Sequence, residues 1–495
     1  MQKALYCFAV SCACASAGCG TEVALAVYPA PMDAGVPGFP EKPPSCVSGK
    51  LTDRMIRGSV SLPEAVRYKR TGYFFGLPQD DRIAFSVLND HVAMVAWVNG
   101  GGTTVYVTYL AIGPDSISRI GADIPVDGTE LSGLVALNNG FALLTRRPDP
   151  GELIGPQMTQ MQATFLVRWQ DAREIFAAPL TGTTSIVSGP DTYMKRDFPN
   201  PISGFLNPLS GRLAFNGSYF GAYFSVRVPI NGEYYHADKF VQVDLSGRDA
   251  TGWRMGCRQS LGNRLVADPS GFVAFCMSDG TFDSPGLRIV SGSEDSRRLA
   301  SESGSGAYAA GNFGSAIKAP NGYLVAWASR GVALGSSVEA PEAYSDFHEP
   351  AVALLDNDRN LLSREWLSLA PSQKPIRDAV NVHAAPYGPD KTLIVWETID
   401  TPQYRPSTGY STGAYGGTHF RLVDAQGKVA SEEEFTLESI APNGQDEIVK
   451  FPNGDVGWAY VPEARDFQMP VASMQLPYLP AISEIKFVRL RYCTP

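Results

Sequence analysis

One short phrase recurs along this 495-residue chain and limits what it can fold into: a polar turn, usually holding a glycine, then an apolar run. The run usually ends on an aromatic ring. The clearest copy is P-N-G-Y-L-V-A-W, from Pro320 to Trp327. Degraded copies are N-D-H-V-A-M-V-A-W ending at Trp97, N-N-G-F-A-L-L ending at Leu144 and S-G-R-L-A-F ending at Phe215. Three more are P-S-G-F-V-A-F ending at Phe275, G-P-D-K-T-L-I-V-W ending at Trp396 and P-N-G-D-V-G-W ending at Trp458. Each lies between two apolar runs, as a tight turn between antiparallel strands does. The copies stand about 50 to 70 residues apart, enough for four short strands and their connections.

A second phrase alternates with the first: an apolar strand, an aspartate, a turn and another strand. It reads F-V-Q-V-D-L-S-G from Phe240, A-V-A-L-L-D-N-D from Ala351 and F-R-L-V-D-A-Q-G from Phe420. The two phrases together supply four strands per repeat. No stretch sustains a helical period, so the reading is all-β. Gly 49 and Pro 37 suit many short strands joined by turns. On these repeats the chain resembles the β-propellers, from about Val47 to Cys493. Seven copies predict seven four-stranded antiparallel blades; six or eight blades, or two β-sandwiches, are the alternatives. No complete WD-repeat, kelch or Asp-box signature accompanies the repeat, so the resemblance names a fold and no functional family.

The resemblance implies how the ends meet. One strand, Ile485 to Tyr492, follows the seventh copy, and the segment after Cys46 is expected to complete that last blade. Cys46 and Cys493 then become neighbours and are expected to bond, with Cys257 and Cys276 as the second pair.

The first residues are a separate object. Lys3, an apolar stretch from Ala4 to Ala15, and Ser16-Ala17-Gly18-Cys19 read as an export signal over 1–19. The end of it resembles a lipoprotein box with Cys19 as the lipidated residue, although Ser16 stands where leucine is usual. Ala15-Ser16-Ala17 is the competing ordinary cleavage site. A proline-rich tether follows over 20–45, and the propeller over 46–495 forms one domain. These features predict an exported protein anchored in the outer membrane by lipid, periplasmic or at the cell surface. Any membrane contact is then through that anchor.

Composition narrows the function. A net charge of −9 and no basic block argue against nucleic acid. No phosphate-binding loop, G-x-G-x-x-G turn or G-x-S-x-G elbow occurs, and no cofactor is expected. In a propeller the connections between strands two and three share a face with those between blades, and several here are long. They carry Tyr234, Tyr235, Tyr344, Tyr404, Tyr410 and Tyr415, rings that give contact area with few rotors to freeze. Arg196 and Arg377 are candidate anion or sugar clamps. The expected role is binding a protein or a glycan through that face, without catalysis. The alternative is a carbohydrate hydrolase using carboxylates among Asp197, Asp378, Asp446 and Glu447. His236, His348 and His419 fall at similar places in three repeats, but their spacing matches no metal motif, and no metal is expected.

Overall fold

The computed structural model describes residues 49–66, 82–113, 116–154, 159–182, 184–188, 211–230, 233–258, 260–278, 286–290, 296–302, 313–329, 332–334, 347–367, 377–405, 410–442, 444, 446–461 and 482–493. Its strands form seven separate antiparallel-based sheets, each with a four-stranded meander at its heart. Blade one comprises Ala84–Asn89, Val92–Val98, Thr104–Ile112 and Ile117–Asp127. Blade two comprises Leu131–Leu137, Gly140–Ile154, Thr159–Gln170 and Arg173–Pro179. Blade three comprises Gly211–Phe215, Tyr219–Ile230, Glu233–Asp244 and Ala250–Arg258. Blade four comprises Ser260–Asp268, Gly271–Ser278, Gly286–Val290 and Ser296–Glu302. Blade five comprises Phe313–Ala319, Gly322–Ser329, Glu349–Leu355 and Leu361–Trp366. Blade six comprises Arg377–Tyr387, Lys391–Arg405, Tyr410–Asp424 and Glu434–Thr436. Blade seven takes Val449–Lys450, Val456–Tyr460 and Ile482–Leu490 from the end of the chain and Met55–Val66 from its beginning.

The chain is a seven-bladed β-propeller. Among the described residues the only helical turn is Leu51–Arg54. The closure expected from sequence is present: Met55 pairs with Leu490 and Ser61 with Glu484 along an antiparallel ladder. Two blades carry an extra strand. Val187–Ser188 adds in parallel to Ala250–Arg258 of blade three, and Val332–Leu334 adds to Ser296–Glu302 of blade four.

The recurrent phrase forms the turn into the second strand in six blades. Its ring ends in the seams between blades, where Trp97, Trp327, Trp396 and Trp458 are all essentially buried. Burying a side chain of this size is worth about 2–3 kcal/mol, which explains its recurrence wherever sheets face each other. The glycine has a local cause. Gly140 and Gly322 have φ of 152° and 147°, and a Cβ there would collide with the carbonyl oxygens of Trp169 and Leu355 across the hairpin. Blade three departs from the expectation. Gly211–Phe215 of its copy forms the first strand rather than the second, and the second strand begins at Tyr219. Tyr223 is buried in that second strand.

The long connections between strands two and three also differ from expectation. In blades two, three and six they are mainly β-hairpins that prolong the strands beyond the core. Pairing continues to Ile154 and Thr159 in blade two, to Ile230 and Glu233 in blade three, and to Arg405 and Tyr410 in blade six. Backbone groups that a loop would leave to water are paired in a ladder, which gives these projections their own rigidity.

Cys257 and Cys276 form the disulfide expected, with 6.3 Å between Cα atoms. It joins the fourth strand of blade three to the second strand of blade four. Cys493 is also disulfide-bonded. Cys46 lies outside the described residues, as do Cys19, the signal stretch and the tether.

Candidate functional site

First strands line the axis of a propeller, so long side chains at their beginnings converge even though the blades radiate apart. An arginine followed by an aliphatic and a small or branched residue stands just before or within three of them. These are Arg82-Ile83-Ala84, Arg212-Leu213-Ala214 and Arg264-Leu265-Val266. Blade seven has Glu447-Ile448-Val449 in the corresponding place, preceded by Asp446. The arginines belong to blades one, three and four, and all are buried.

Their hydrogen bonds lace the blades together. Arg82 donates from Nη1 to the carbonyls of Ser132 and Gly211, reaching blades two and three. Arg264 donates to Asn263 O at 2.7 Å, to Phe313 O of blade five at 3.2 Å and to Gly444 O at 3.1 Å. Its guanidinium also lies over the Phe313 ring, and its buried Nε has no hydrogen-bond partner among the described residues. Arg212 donates to Gly211 O at 2.7 Å, and its Nε meets Glu447 Oε1 at 2.8 Å. Arg82 Nε stands 3.6 Å from Asp446 Oδ1, and the Ile83 amide donates to Asp446 Oδ2 at 3.3 Å.

Gly444, Asp446 and Glu447 belong to the connection from blade six to blade seven. Within that connection Pro442 O accepts from Asn381, Gly444 O from Arg264, and Asp446 and Glu447 meet blades one and three. The described residues of the connection thus form a strap that the arginines hold to blades one, three and four.

The two neighbouring carboxyls differ in character. Burial pushes the Asp446 carboxyl up to about 8, against the pull of Arg82, the Ile83 amide and Arg212. Burial also opposes charge on Glu447, but Arg212, Arg82 and Arg264 outweigh it and hold its carboxyl below the usual range. Burial and the repulsion of Arg264 and Arg82 press Arg212 well below its ordinary value. Burial takes Arg264 to about 10, so it remains charged at neutral pH. Glu447 lies deep in the protein, yet 40% of its side-chain surface is open, whereas Asp446 is 3% exposed. Glu447 is therefore partly open to solvent, whereas Asp446 is enclosed.

The sequence-expected residues are placed as follows. Asp446 and Glu447 are together in this cluster. Asp378 is buried, accepts from the His348 amide at 2.6 Å and faces His348 Nδ1 at 2.9 Å. Arg377, expected as a free clamp, pairs with Asp400 at 2.8 Å. Tyr415 is half-buried against Val380 and Ile399, its hydroxyl held by Thr418 and Glu438, and burial pushes it up to about 12. It packs the blade rather than presenting its ring. Tyr234 and Tyr235 lie on the third strand of blade three, and Tyr404 and Tyr410 flank the hairpin tip of blade six. Tyr344, Arg196 and Asp197 lie outside the described residues.

Among the described residues no cluster of possible metal-ligating side chains includes a histidine. His419 has both ring nitrogens engaged, on Thr398 at 3.0 Å and Glu433 at 2.8 Å, and stacks between Trp396 and Phe435. His348 is bound to Asp378, and His236 lies on the third strand of blade three. Asp238, Cys257 and Cys276 do place three donor atoms within 4.8 Å, but the two sulfurs are bonded to each other and hold no metal in that state.

No protein-family model matches the sequence, and no curated protein matches it either. Solved structures similar to it include a protein of unknown function from Dyadobacter fermentans, 11% identical with a TM-score of 0.35, over 88% of this chain and 100% of that one. Another is hydrazine synthase of Kuenenia stuttgartiensis, 10% identical with a TM-score of 0.39, over 77% of this chain and 92% of that one. A third is the α-L-arabinanase of Penicillium chrysogenum, 10% identical with a TM-score of 0.34, over 86% and 98%. At such values the likeness is one of fold alone.

Proposed function

We propose that this protein is an exported binding module that takes a protein or glycan ligand on the face where the axial mouth opens. The observation that carries this reading is the arginine and carboxylate collar at the mouth, on the face over which the hairpins of blades two, three and six are prolonged. Rigid projections around a charged recess supply both contact area and orientation. A lipid anchor at Cys19 and the proline-rich segment after it would hold the propeller off the outer membrane, in the periplasm or at the cell surface.

The test is a pull-down from envelope extract and a glycan array, both with the full-length chain. They are run beside a variant in which residues 401–414 of the blade-six hairpin are replaced by a two-residue turn. Among the described residues none of 401–414 belongs to the large buried clusters, so loss of the tip should shift stability by no more than about 1 kcal/mol. Capture should fall at least tenfold. Unchanged capture by a folded variant refutes the involvement of this face.

A second reading has one observation in its favour. Asp446 is protonated near neutrality and Glu447 ionised, the division of labour that glycoside hydrolysis uses. Burial of Asp446 behind the strap weighs against it, because an acid must reach the leaving oxygen. Release of reducing ends from a polysaccharide panel, abolished in Glu447→Gln, would establish hydrolysis.

A further inference from the structure

We propose that the seam between blades three and four is a metal site in its reduced state, with Cys257, Cys276 and Asp238 holding a divalent ion of the zinc class. Such a site goes beyond the binding-module reading and does not depend on it. The three donor atoms lie within 4.8 Å of one another, and all three residues are buried. Asp238 comes from the third strand of blade three, Cys257 from its fourth, and Cys276 from the second strand of blade four. The packed seam, rather than one loop, therefore sets their spacing. Thiolates joined by a carboxylate suit zinc and similar ions. Such an ion holds sulfur at about 2.3 Å and carboxylate oxygen at about 2.0–2.2 Å, so its donors stand roughly 3.5–4 Å apart. Once the S–S bond opens, side-chain rotation alone brings these three donors to that spread.

The surroundings are built for the carboxylate as well as for the sulfurs. The ladder between strands three and four of blade three is irregular at this point: Ala237 pairs with Arg258 but Lys239 with Arg254. Asp238 thus stands opposite a bulge that contains Cys257, and bulges re-aim side chains out of strict alternation. The Tyr223 hydroxyl donates to Asp238 Oδ2 at 2.8 Å. Burial and the charge of Asp238 push that hydroxyl well above its ordinary value, so it remains a donor. A hydrogen bond of this kind orients a metal-binding carboxylate. Arg288 stands opposite Cys276 in the next ladder, a positive charge to set against two thiolates and a carboxylate on a divalent ion. The sulfurs cannot bind each other and an ion at once. A dithiol reductant opens the S–S bond: it loses two electrons and two protons and closes to its own cyclic disulfide, while Cys257 and Cys276 become thiols. The ion then replaces both thiol protons, which leave to solvent as two metal–sulfur bonds form. Burial disfavours a bare thiolate and a cation favours it, so ion and thiolates stabilise each other.

The test reduces the full-length protein with dithiothreitol, desalts it under argon and titrates it with cobalt(II), whose bonds to sulfur absorb in the near ultraviolet. The chain holds eight cysteines, so the parent is compared with Cys257→Ser, Cys276→Ser and Asp238→Asn, all reduced alike. The parent should bind one equivalent more than either serine variant, and zinc should displace that cobalt. Asp238→Asn keeps an acceptor for Tyr223 and should weaken the same equivalent at least tenfold. Zinc should raise the melting temperature of the reduced parent by several degrees, as followed by circular dichroism, and magnesium should not. If the reduced parent unfolds without metal, zinc present during reduction should keep it folded; unfolding alike with and without zinc overturns the inference. A folded serine variant that binds as many equivalents as the parent overturns it, as does parental affinity in Asp238→Asn. An equal response to magnesium, or an oxidised parent that binds as many equivalents as the reduced one, overturns it too. If a serine variant fails to fold, the Asp238→Asn titration and the zinc-against-magnesium melts of the parent decide.

Discussion

At the scale of single residues, Asp446 makes the most specific prediction. Its carboxyl is raised to about 8 in the folded protein, mainly by burial, and in the unfolded chain it returns to the ordinary range near 4. Between those values the folded state binds the extra proton, so stability falls as pH rises and levels off above about 8. The greatest slope is about 1.4 kcal/mol per pH unit for one group. Asp446→Asn keeps an acceptor for the Ile83 amide and removes the titration. Its melting temperature should lose most of the decline that the parent shows between pH 5 and 8, as followed by circular dichroism. Equal slopes in the two proteins would show that Asp446 ionises freely. Sequence reading picked out Asp446 and Glu447 but not the three arginines around them. The signal was present in Arg82-Ile83, Arg212-Leu213 and Arg264-Leu265, each just before or within an inner strand. It was hidden because arginine before an aliphatic is common in any strand. Only the closing of the ring brings residues so distant in sequence to one axis. Tyr415 failed in the opposite direction: a tyrosine in a long connection reads as exposed, but the connection is a hairpin whose base is still part of the blade.

At the scale of elements, most of the fold was legible because every blade must solve the same packing problem. The polar turn and the apolar run that follows it mark the second strand in six blades. Blade three broke the pattern because Ser210-Gly211-Arg212 imitates the turn while Asn216 to Ser218 makes the real one. The same seam holds the Cys257–Cys276 disulfide, which joins neighbouring blades rather than strands of one hairpin. It closes a short loop, with a sequence separation of 19, and its loss is expected to cost about 3 kcal/mol on the chain-entropy estimate. Cys257→Ala with Cys276→Ala should therefore melt several degrees lower. The core around Tyr223 and Trp253, which packs against both cysteines, is where hydrogen exchange should accelerate first. Exchange that accelerates equally in all blades would mean that this seam is not a local unit.

At the scale of the whole molecule, the ring depends on a strand borrowed from the opposite end of the chain. Met55–Val66 covers the edge of Ile482–Leu490, and Val60 and Leu62 join the core shared with Ile485, Phe487 and blade one. The first and last blades are joined again where the Asn453 amide donates to Asp90 and where Arg489 bonds both Asp455 and Asp90 O. Removing residues 1–66 would therefore uncover a strand edge and an apolar seam together, a combination that invites pairing between molecules. The truncated protein should elute as dimers and larger aggregates in size-exclusion chromatography, and its melting should begin well below that of the intact chain. Adding a peptide of residues 49–66 in excess should return part of it to the monomer, because the ladder needs only the strand and not its connection to blade one. A truncated protein that stays monomeric with an unchanged melting temperature would show that six blades and an open edge suffice. The ring would then owe its stability to the seams between blades and not to closure.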